Sequence, residues 1–372
     1  MWRKVIGVLA VAFTSIAAAQ GVSESQVVLG QSVALTGPAQ QLGLDMQLGA
    51  KLYFDKINSA GGVNGRKIVL KTLDDGYEAT RAAENTKKLI RDEHVFALFG
   101  YVGTPTSQAS LPIFTEARVP FVGPFTGAEL LRSPVNPLIF NVRASYFDET
   151  EAIVQHLTAM SVNRIAVFYQ NDAYGQAGLA GVERALKKRN LEVIGKGTVE
   201  RNTVDVKKAV ADINKANPQA VVMIGAYKGC AAYIKETRAA GQNPTFWNVS
   251  FVGSKALAKE LDKEGRGVQI SQVVPFPWDS SVPVVKEYQK AMAEAKAEVG
   301  FGTLEGFIAA KVMVEGLRRA GRNLTRENFV RAMEGIQDYD AGGFKVSYGP
   351  GNRSGSKFVD LTIISKDQKF VR

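Results

Sequence analysis

The chain has 372 residues, 45% of them hydrophobic and 22% charged, with 36 Gly, 13 Pro, two His and one Cys. That composition excludes disordered, collagen-like and disulfide-scaffold classes, and the length suggests two domains. The formal net charge of +10 is dispersed, and its densest runs, Lys187-Lys188-Arg189 and Arg318-Arg319, end helical patterns. Cations there meet the negative end of a helix dipole, so solvated helix ends explain them better than nucleic acid or an anionic membrane does.

Taken in chain order, Arg3 and Lys4 precede an apolar run from Val5 to Ile16 and the small residues Ala17-Ala18-Ala19. This is the layout of a secretory signal over residues 1–19, cleaved after Ala19 to give a periplasmic chain of net charge +8 beginning at Gln20. No Cys follows the cleavage point to carry a lipid anchor, and no later stretch reaches the ~18 apolar residues of a membrane span. Short apolar runs then alternate with runs of helical period. Strands are predicted at Val27–Val33, Ile68–Leu73, Val95–Phe99, Phe121–Gly123, Ile165–Tyr169, Glu192–Lys196, Ala220–Ile224, Phe246–Val249 and Val268–Val273. Between them run helical stripes, such as Met46, Ala50, Tyr53 and Ile57, or Leu179, Val182 and Leu186. Steps of roughly 25 to 30 residues suit right-handed β-α-β crossovers, so the fold class is α/β with mostly parallel sheets.

The rhythm breaks twice. Near Asn136–Asp148, prolines and a short strand-like Phe140–Val142 precede a helix capped near Asp148. At Val273–Pro283 the run VVPFPWDSSVP interrupts again, before three helices (near Val284–Ala297, Thr303–Arg319 and Thr325–Glu334) and two strands ending in Phe358–Ser365. Two breaks and a late return to strand imply two lobes with several crossings, which make a hinge. The expected division is 23–147 with 276–343 as lobe 1, and 148–275 with 344–372 as lobe 2.

Catalytic signals are sparse. There is no Gly-x-Ser-x-Gly elbow and no Walker motif, and GFG at Gly300–Gly302 reads as a turn before a helix. His156 shares a helical face with Ile153, Leu157 and Met160 and reads as a packed imidazole, and His94 reads as a loop residue. Asp74 and Asp75 end a strand, where adjacent side chains point to opposite faces. One Cys, Cys230, and two His leave little for a metal site. A hydrolase would need a nucleophile with a base in reach, and no His ends a strand, so the chain reads as a non-enzyme without metal or cofactor.

What remains is a binding geometry. Ligands of open parallel sheets sit beyond the strands' carboxyl ends, near the unpaired N–H groups of helix N-termini. Those ends carry Gly100-Tyr101-Val102-Gly103-Thr104, Pro124-Phe125-Thr126-Gly127, Asn171-Asp172-Ala173-Tyr174-Gly175, Gly225-Ala226-Tyr227 and Asn248-Val249-Ser250. Hydroxyls from one half face aromatics from the other, the make-up of a small-molecule site.

Several segments resemble the Leu/Ile/Val-binding-protein family of periplasmic solute receptors: Val33-Ala34-Leu35-Thr36-Gly37-Pro38, INSAGGVNGRKIVL (57–70) with Asp74-Asp75, FGYVGTPTSQA (99–109), VPFVGPFTGAEL (119–130), NDAYG (171–175) and RAAGQNPTF (238–246). Their order and spacing cover nearly the whole mature chain. The resemblance implies a type I periplasmic binding protein fold, two Rossmann-like lobes joined by three hinge strands, closing on a ligand as a monomer and delivering it to an ABC permease. A sensor that presents its closed form to a membrane receptor is equally compatible with that fold.

Residue by residue, the resemblance implies that Thr104 binds the ligand carboxylate, with support from the Phe125 backbone N–H and from Thr126 or Gly127. Tyr101 and Gly103 belong to the same loop, and Leu42, Tyr174, Tyr227 and Phe307 match pocket-lining positions. Gly103 stands where family members often carry a disulfide cysteine. Ser250 stands where amino-acid receptors of the family carry a Glu that pairs with the ligand's α-ammonium. Asp172 and Glu305 are the nearest substitutes, but the first reads as a helix cap and the second as a first-turn residue favoured by the dipole. The expectation is therefore a ligand with a carboxylate or polar head and an apolar or aromatic body, standard α-amino acids binding poorly; an amino-acid receptor is the alternative.

Overall fold

The structure, a computed structural model, describes residues 21–372, so the expected signal segment and its cleavage point lie outside the described residues. The first lobe is built from β1 (Gln26–Val33), α1 (Gln40–Ser59), β2 (Lys67–Asp74), α2 (Ala79–Arg91), β3 (Ala97–Phe99), α3 (Thr104–Glu116), β4 (Phe121–Val122) and β5 (Ile139–Phe140). Its five strands are parallel in the order β2-β1-β3-β4-β5. β1 is a near-continuous buried run, as a parallel strand covered by helices on both faces requires.

The chain then enters the second lobe through α4 (Tyr146–Ala159), followed by β6 (Ile165–Gln170), α5 (Ala173–Lys187), β7 (Lys196–Val199), α6 (Lys207–Lys215), β8 (Ala220–Ile224), α7 (Tyr227–Ala239), β9 (Thr245–Asn248), α8 (Ser254–Leu261) and β10 (Gln269–Gln272). It returns through α9 (Pro283–Glu294), α10 (Phe301–Ala320) and α11 (Arg326–Glu334), forms a small hairpin from β11 (Tyr339–Asp340) and β12 (Lys345–Val346), and ends as β13 (Asp360–Ile364) and β14 (Phe370–Val371). The second sheet has the order β14-β13-β10-β9-β8-β6-β7, with its last two strands in the chain added antiparallel.

α10 lies along α1 in the first lobe. A Cβ on Gly49 would stand 1.8 Å from the Thr303 carbonyl oxygen, so glycine permits that approach. The backbone crosses between sheets after Phe140, after Gln272 and before Asp360.

Four expectations are corrected. The strand read at Glu192–Lys196 is β7, four residues later: its alternating exposed and buried pattern is that of an edge strand, and it pairs with Val167–Gln170. The helix placed near Asp148 is capped by Ser145, with Asp148 completing a reciprocal capping box. His156 is exposed and rests on Trp247, ring centroids 5.1 Å apart, because the buried stripe of α4 runs through Ile153, Val154 and Leu157.

The fourth concerns the last crossing. Residues 344–354 stay with the first lobe: Asn141 bridges Ser354, the Tyr348 N–H donates to the Ile336 carbonyl at 2.7 Å, and the Arg353 guanidinium lies 4.9 Å over Phe140. The final crossing therefore falls after Ser354, not at Phe344.

Candidate ligand-binding cleft

The carboxyl ends of the parallel strands of both sheets face a shared cleft. On the first-lobe side, Asp74 and Asp75 organise the rim. Asp74 accepts from the Leu35 and Gly76 N–H groups and from the Thr36 hydroxyl, and Asp75 accepts from the Ser32 hydroxyl and the Tyr77 N–H. Burial raises the carboxyl of Asp74, but those hydrogen bonds and Arg81 outweigh it and hold it well below the ordinary range. Burial dominates at Asp75 and pushes it up to about 6. The two carboxylates fold the turn that delivers Tyr77 to the cleft.

Gly103 precedes α3 with φ of 105°, and a Cβ there would meet the Tyr77 ring at 2.3 Å. Both facts demand glycine. Thr104 follows as the first residue of α3, where helical N–H groups have no intrahelical acceptor. Its hydroxyl lies 2.7 Å from that of Thr126, which donates to the Tyr146 hydroxyl at 3.2 Å. Gly127 is pressed against the Tyr146 backbone, 2.6 Å from where its Cβ would be, so Thr126 is the residue of that pair beside Thr104.

Three expected positions differ. The Phe125 N–H donates to the Tyr101 carbonyl at 2.7 Å, so it is already used; the Phe125 ring packs 5.6 Å from Phe251 instead. Tyr101 points away from the cleft, its hydroxyl 3.0 Å from Thr86 and its ring on Phe121. Phe307 lies between Tyr53 and Tyr288 in the core beneath α1 and α10. Strand-end and helix-start positions were legible in the sequence; the face on which each ring lands was not.

The second-lobe wall is aromatic. Tyr174 stands 4.5 Å from Phe251 and 5.3 Å from Tyr146, and Phe251 also meets Tyr77 at 5.9 Å. Buried, the Tyr174 hydroxyl has no hydrogen-bond partner among the described residues. An orphaned hydroxyl in a cleft is a group that a polar ligand atom would satisfy. Asp172 caps α5 as expected, accepting from the Tyr174 N–H at 2.9 Å. Leu42, Ser250, Gly253, Phe125 and Glu305 line a cavity of about 10 Å³ that also touches Asp45. Tyr227, the first residue of α7, lies beside Leu42 and Gly253.

At the floor lies a charged cluster that the sequence reading did not find. Arg143, 1% exposed, donates to Glu149 at 2.6 Å, to Glu305 at 3.3 Å and to the Ser250 hydroxyl. Glu149 accepts in addition from the Ser250 N–H at 2.8 Å and the Ser271 hydroxyl at 2.6 Å. The guanidinium lies 5.4 Å from the Phe125 ring and 5.7 Å from the Tyr146 ring. Burial disfavours its charge, but Glu305 and Glu149 outweigh that and keep it protonated. Glu305 is the fifth residue of α10, a turn later than expected. Burial pushes its carboxyl up to about 7, against Arg143 and with help from Glu149. The one signal for this cluster is the Arg143–Glu149 spacing across a helix start, within a stretch that reads as a break.

Across the mouth, Glu78 meets Arg201 at 3.0 Å and Asn202 at 2.7 Å, and Gln170 donates to the Tyr77 hydroxyl at 3.2 Å. Among the described residues, no group of three His, Cys, Asp or Glu could hold a metal ion, and Cys230 is free and buried. Burial raises its thiol well above the ordinary range.

A periplasmic binding protein family model matches residues 26–366. The chain is 23% identical over 358 residues to Leu/Ile/Val-binding protein homolog 7 of Brucella abortus, covering 92% of this chain and 88% of that one. Among solved structures it resembles a possible leucine/isoleucine/valine-binding protein from Rhodopirellula baltica, with TM-score 0.90, 34% identity and coverage of 94% and 97%. It also resembles a substrate-binding periplasmic protein from Ralstonia solanacearum, with TM-score 0.88, 33% identity and coverage of 93% and 99%.

Proposed function

Since the chain belongs to the periplasmic binding protein family, as a receptor of the Leu/Ile/Val-binding type, we propose that it is the extracytoplasmic substrate-binding component of an ABC transporter. In this reading it captures by lobe closure a small ligand with a carboxylate head and an apolar or aromatic body. The observation that carries the reading is the buried Thr104–Thr126 hydroxyl pair at the start of α3, facing the aromatic wall of Tyr174, Tyr146 and Phe251. Two hydroxyls and unpaired helical N–H groups suit an oxyanion, and the rings suit its body. The ligand acts by its higher affinity for the closed arrangement.

A second reading, a branched-chain amino-acid receptor, is supported by the names of the relatives and by Glu305, whose carboxylate lines the same cavity as Ser250. The test is to denature the purified protein, identify by mass spectrometry what it releases, and titrate that compound into wild type and Thr104→Ala. A hydrogen bond to a charged group contributes ~1.5 to 3 kcal/mol, so the variant is expected to bind roughly tenfold to a hundredfold more weakly with its ligand-free Tm little changed. Equal affinities would place the head group elsewhere.

A further inference from the structure

We propose that the first lobe carries a second ligand site, at the end of its sheet opposite the cleft, which takes an unbranched acyl chain ending in a carboxylate. The site stands apart from the cleft and does not depend on the cleft's own ligand.

It is a groove of about 900 Å³, within the size range of small-molecule pockets. Its lining residues Arg118 and Asn136 lie just before β4 and β5, so it opens at the amino ends of strands whose carboxyl ends face the cleft. Two helical faces form its sides. Leu111, Pro112 and Thr115 stand at i, i+1 and i+4 on α3. Arg326, Glu327, Val330 and Arg331 stand at i, i+1, i+4 and i+5 on α11, which buries Phe329 and Met333 instead. The loop before β5 closes the third side with Leu130, Pro134, Val135 and Pro137, and leaves Val135 43% exposed.

These walls suit a hydrocarbon better than a peptide. Pro112, Pro134 and Pro137 offer no N–H, and the two neutral polar side chains bond each other, Asn136 donating to the Thr115 hydroxyl at 3.0 Å. A peptide's amides would find few partners there, whereas an acyl chain needs none.

The charge in the groove comes from Arg118, Arg326 and Arg331 against Glu327 alone. The ion pairs that arginines make among the described residues include none of these three. Arg326 donates to the Val95, Phe96 and Ala117 carbonyls at 2.8, 3.0 and 3.4 Å. Those bonds use three of the five N–H donors of a guanidinium and fix it in place without neutralising it. Burial disfavours its charge, and Glu327 offsets that only in part. A carboxylate is the planar anion that a guanidinium meets through two N–H groups at once. With its chain along the apolar walls, it would meet Arg326 between the exposed Arg118 and Arg331.

The experiment is calorimetry with decanoate, below its micelle-forming concentration, on protein freed of any co-purified compound. Decanoate is expected to bind at least tenfold more tightly than hexanoate, each further buried methylene contributing about fourfold. It should also bind at least tenfold more tightly than decyltrimethylammonium. Arg118→Gln/Arg331→Gln changes two exposed side chains and should weaken decanoate at least tenfold. Val330→Asp, which puts a negative charge on the apolar wall, should do the same. Thr104→Ala should leave this site unchanged. Decanoate binding that is weakened by Thr104→Ala and untouched by the other two variants would belong to the cleft; it would overturn the groove site and leave the proposed function standing. Equal binding of the ammonium amphiphile would overturn the carboxylate, and no binding of decanoate would overturn the site. Capture by phosphatidylglycerol vesicles without decanoate binding would make the groove a membrane contact and overturn the proposal too.

Discussion

Glu305 shows how one residue's surroundings become a property of the whole chain. It faces Arg143 from the first crossing and Glu149 from α4, with Asp45 of α1 lining the same cavity and Arg132 near enough to lower its pKa. Its carboxyl rises from 4.5 to about 7 on folding. The folded protein therefore holds this proton more tightly than the unfolded chain does. The resulting stabilisation is complete below about pH 4.5 and is lost as pH rises through about 7. Relative to Glu305→Gln, the wild type should lose about 2 to 5 °C of Tm between pH 5 and pH 8. Parallel Tm–pH curves for the two proteins would mean that Glu305 stays ionised throughout. Asp45 titrates in both and cancels in the difference.

At the scale of an element, the start of α3 is where backbone conformation and binding meet. Gly103 holds a φ that L side chains rarely adopt, and its missing Cβ leaves the space taken by Tyr77. Gly103→Ala should cost about 1 to 3 kcal/mol of stability in chemical denaturation. Displacing Tyr77 should also weaken ligand binding. A variant as stable as wild type would show that the loop relaxes elsewhere. This loop was legible in the sequence, because glycines and a hydroxyl directly after a buried strand mark a tight turn into a helix start. The α4 start was legible only as a break: its capping box and the Arg143–Glu149 pair involve residues three and six apart whose partners, Ser250, Ser271 and Glu305, come from more than a hundred residues downstream.

At the scale of the molecule, the two lobes are joined at the floor by the Arg143 cluster and at the mouth by Glu78 against Arg201 and Asn202. The mouth contacts are partly exposed, so they contribute only about 0.2 to 1 kcal/mol, diminished further by salt. Glu78→Ala should therefore weaken ligand affinity by about twofold to fivefold, with little change in ligand-free Tm. Scattering without ligand should shift toward the more extended, open form. An unchanged affinity would mean that the Glu78 contacts do not contribute to closure and that the floor cluster and the Tyr77 contacts suffice.

Local patterns in the chain specify the α/β class, the alternation that builds two mostly parallel sheets, the existence of crossings, and the strand ends where a ligand can sit. These follow from local periodicity and from glycine and proline chemistry, which neighbours in the chain specify. The sequence also placed the Thr104 hydroxyl at a helix start and the Thr126 hydroxyl just beyond a buried strand, while their role toward a ligand head came from the family resemblance. The tertiary structure decided which rings face the cleft, why Tyr101 and Phe307 turn into the core, and where the last crossing falls. It also decided that the charge beside Ser250 is supplied by Arg143 and Glu149. A side chain's direction and a buried charge's partner depend on elements far apart in the chain, and only packing the lobes brings them within hydrogen-bond reach.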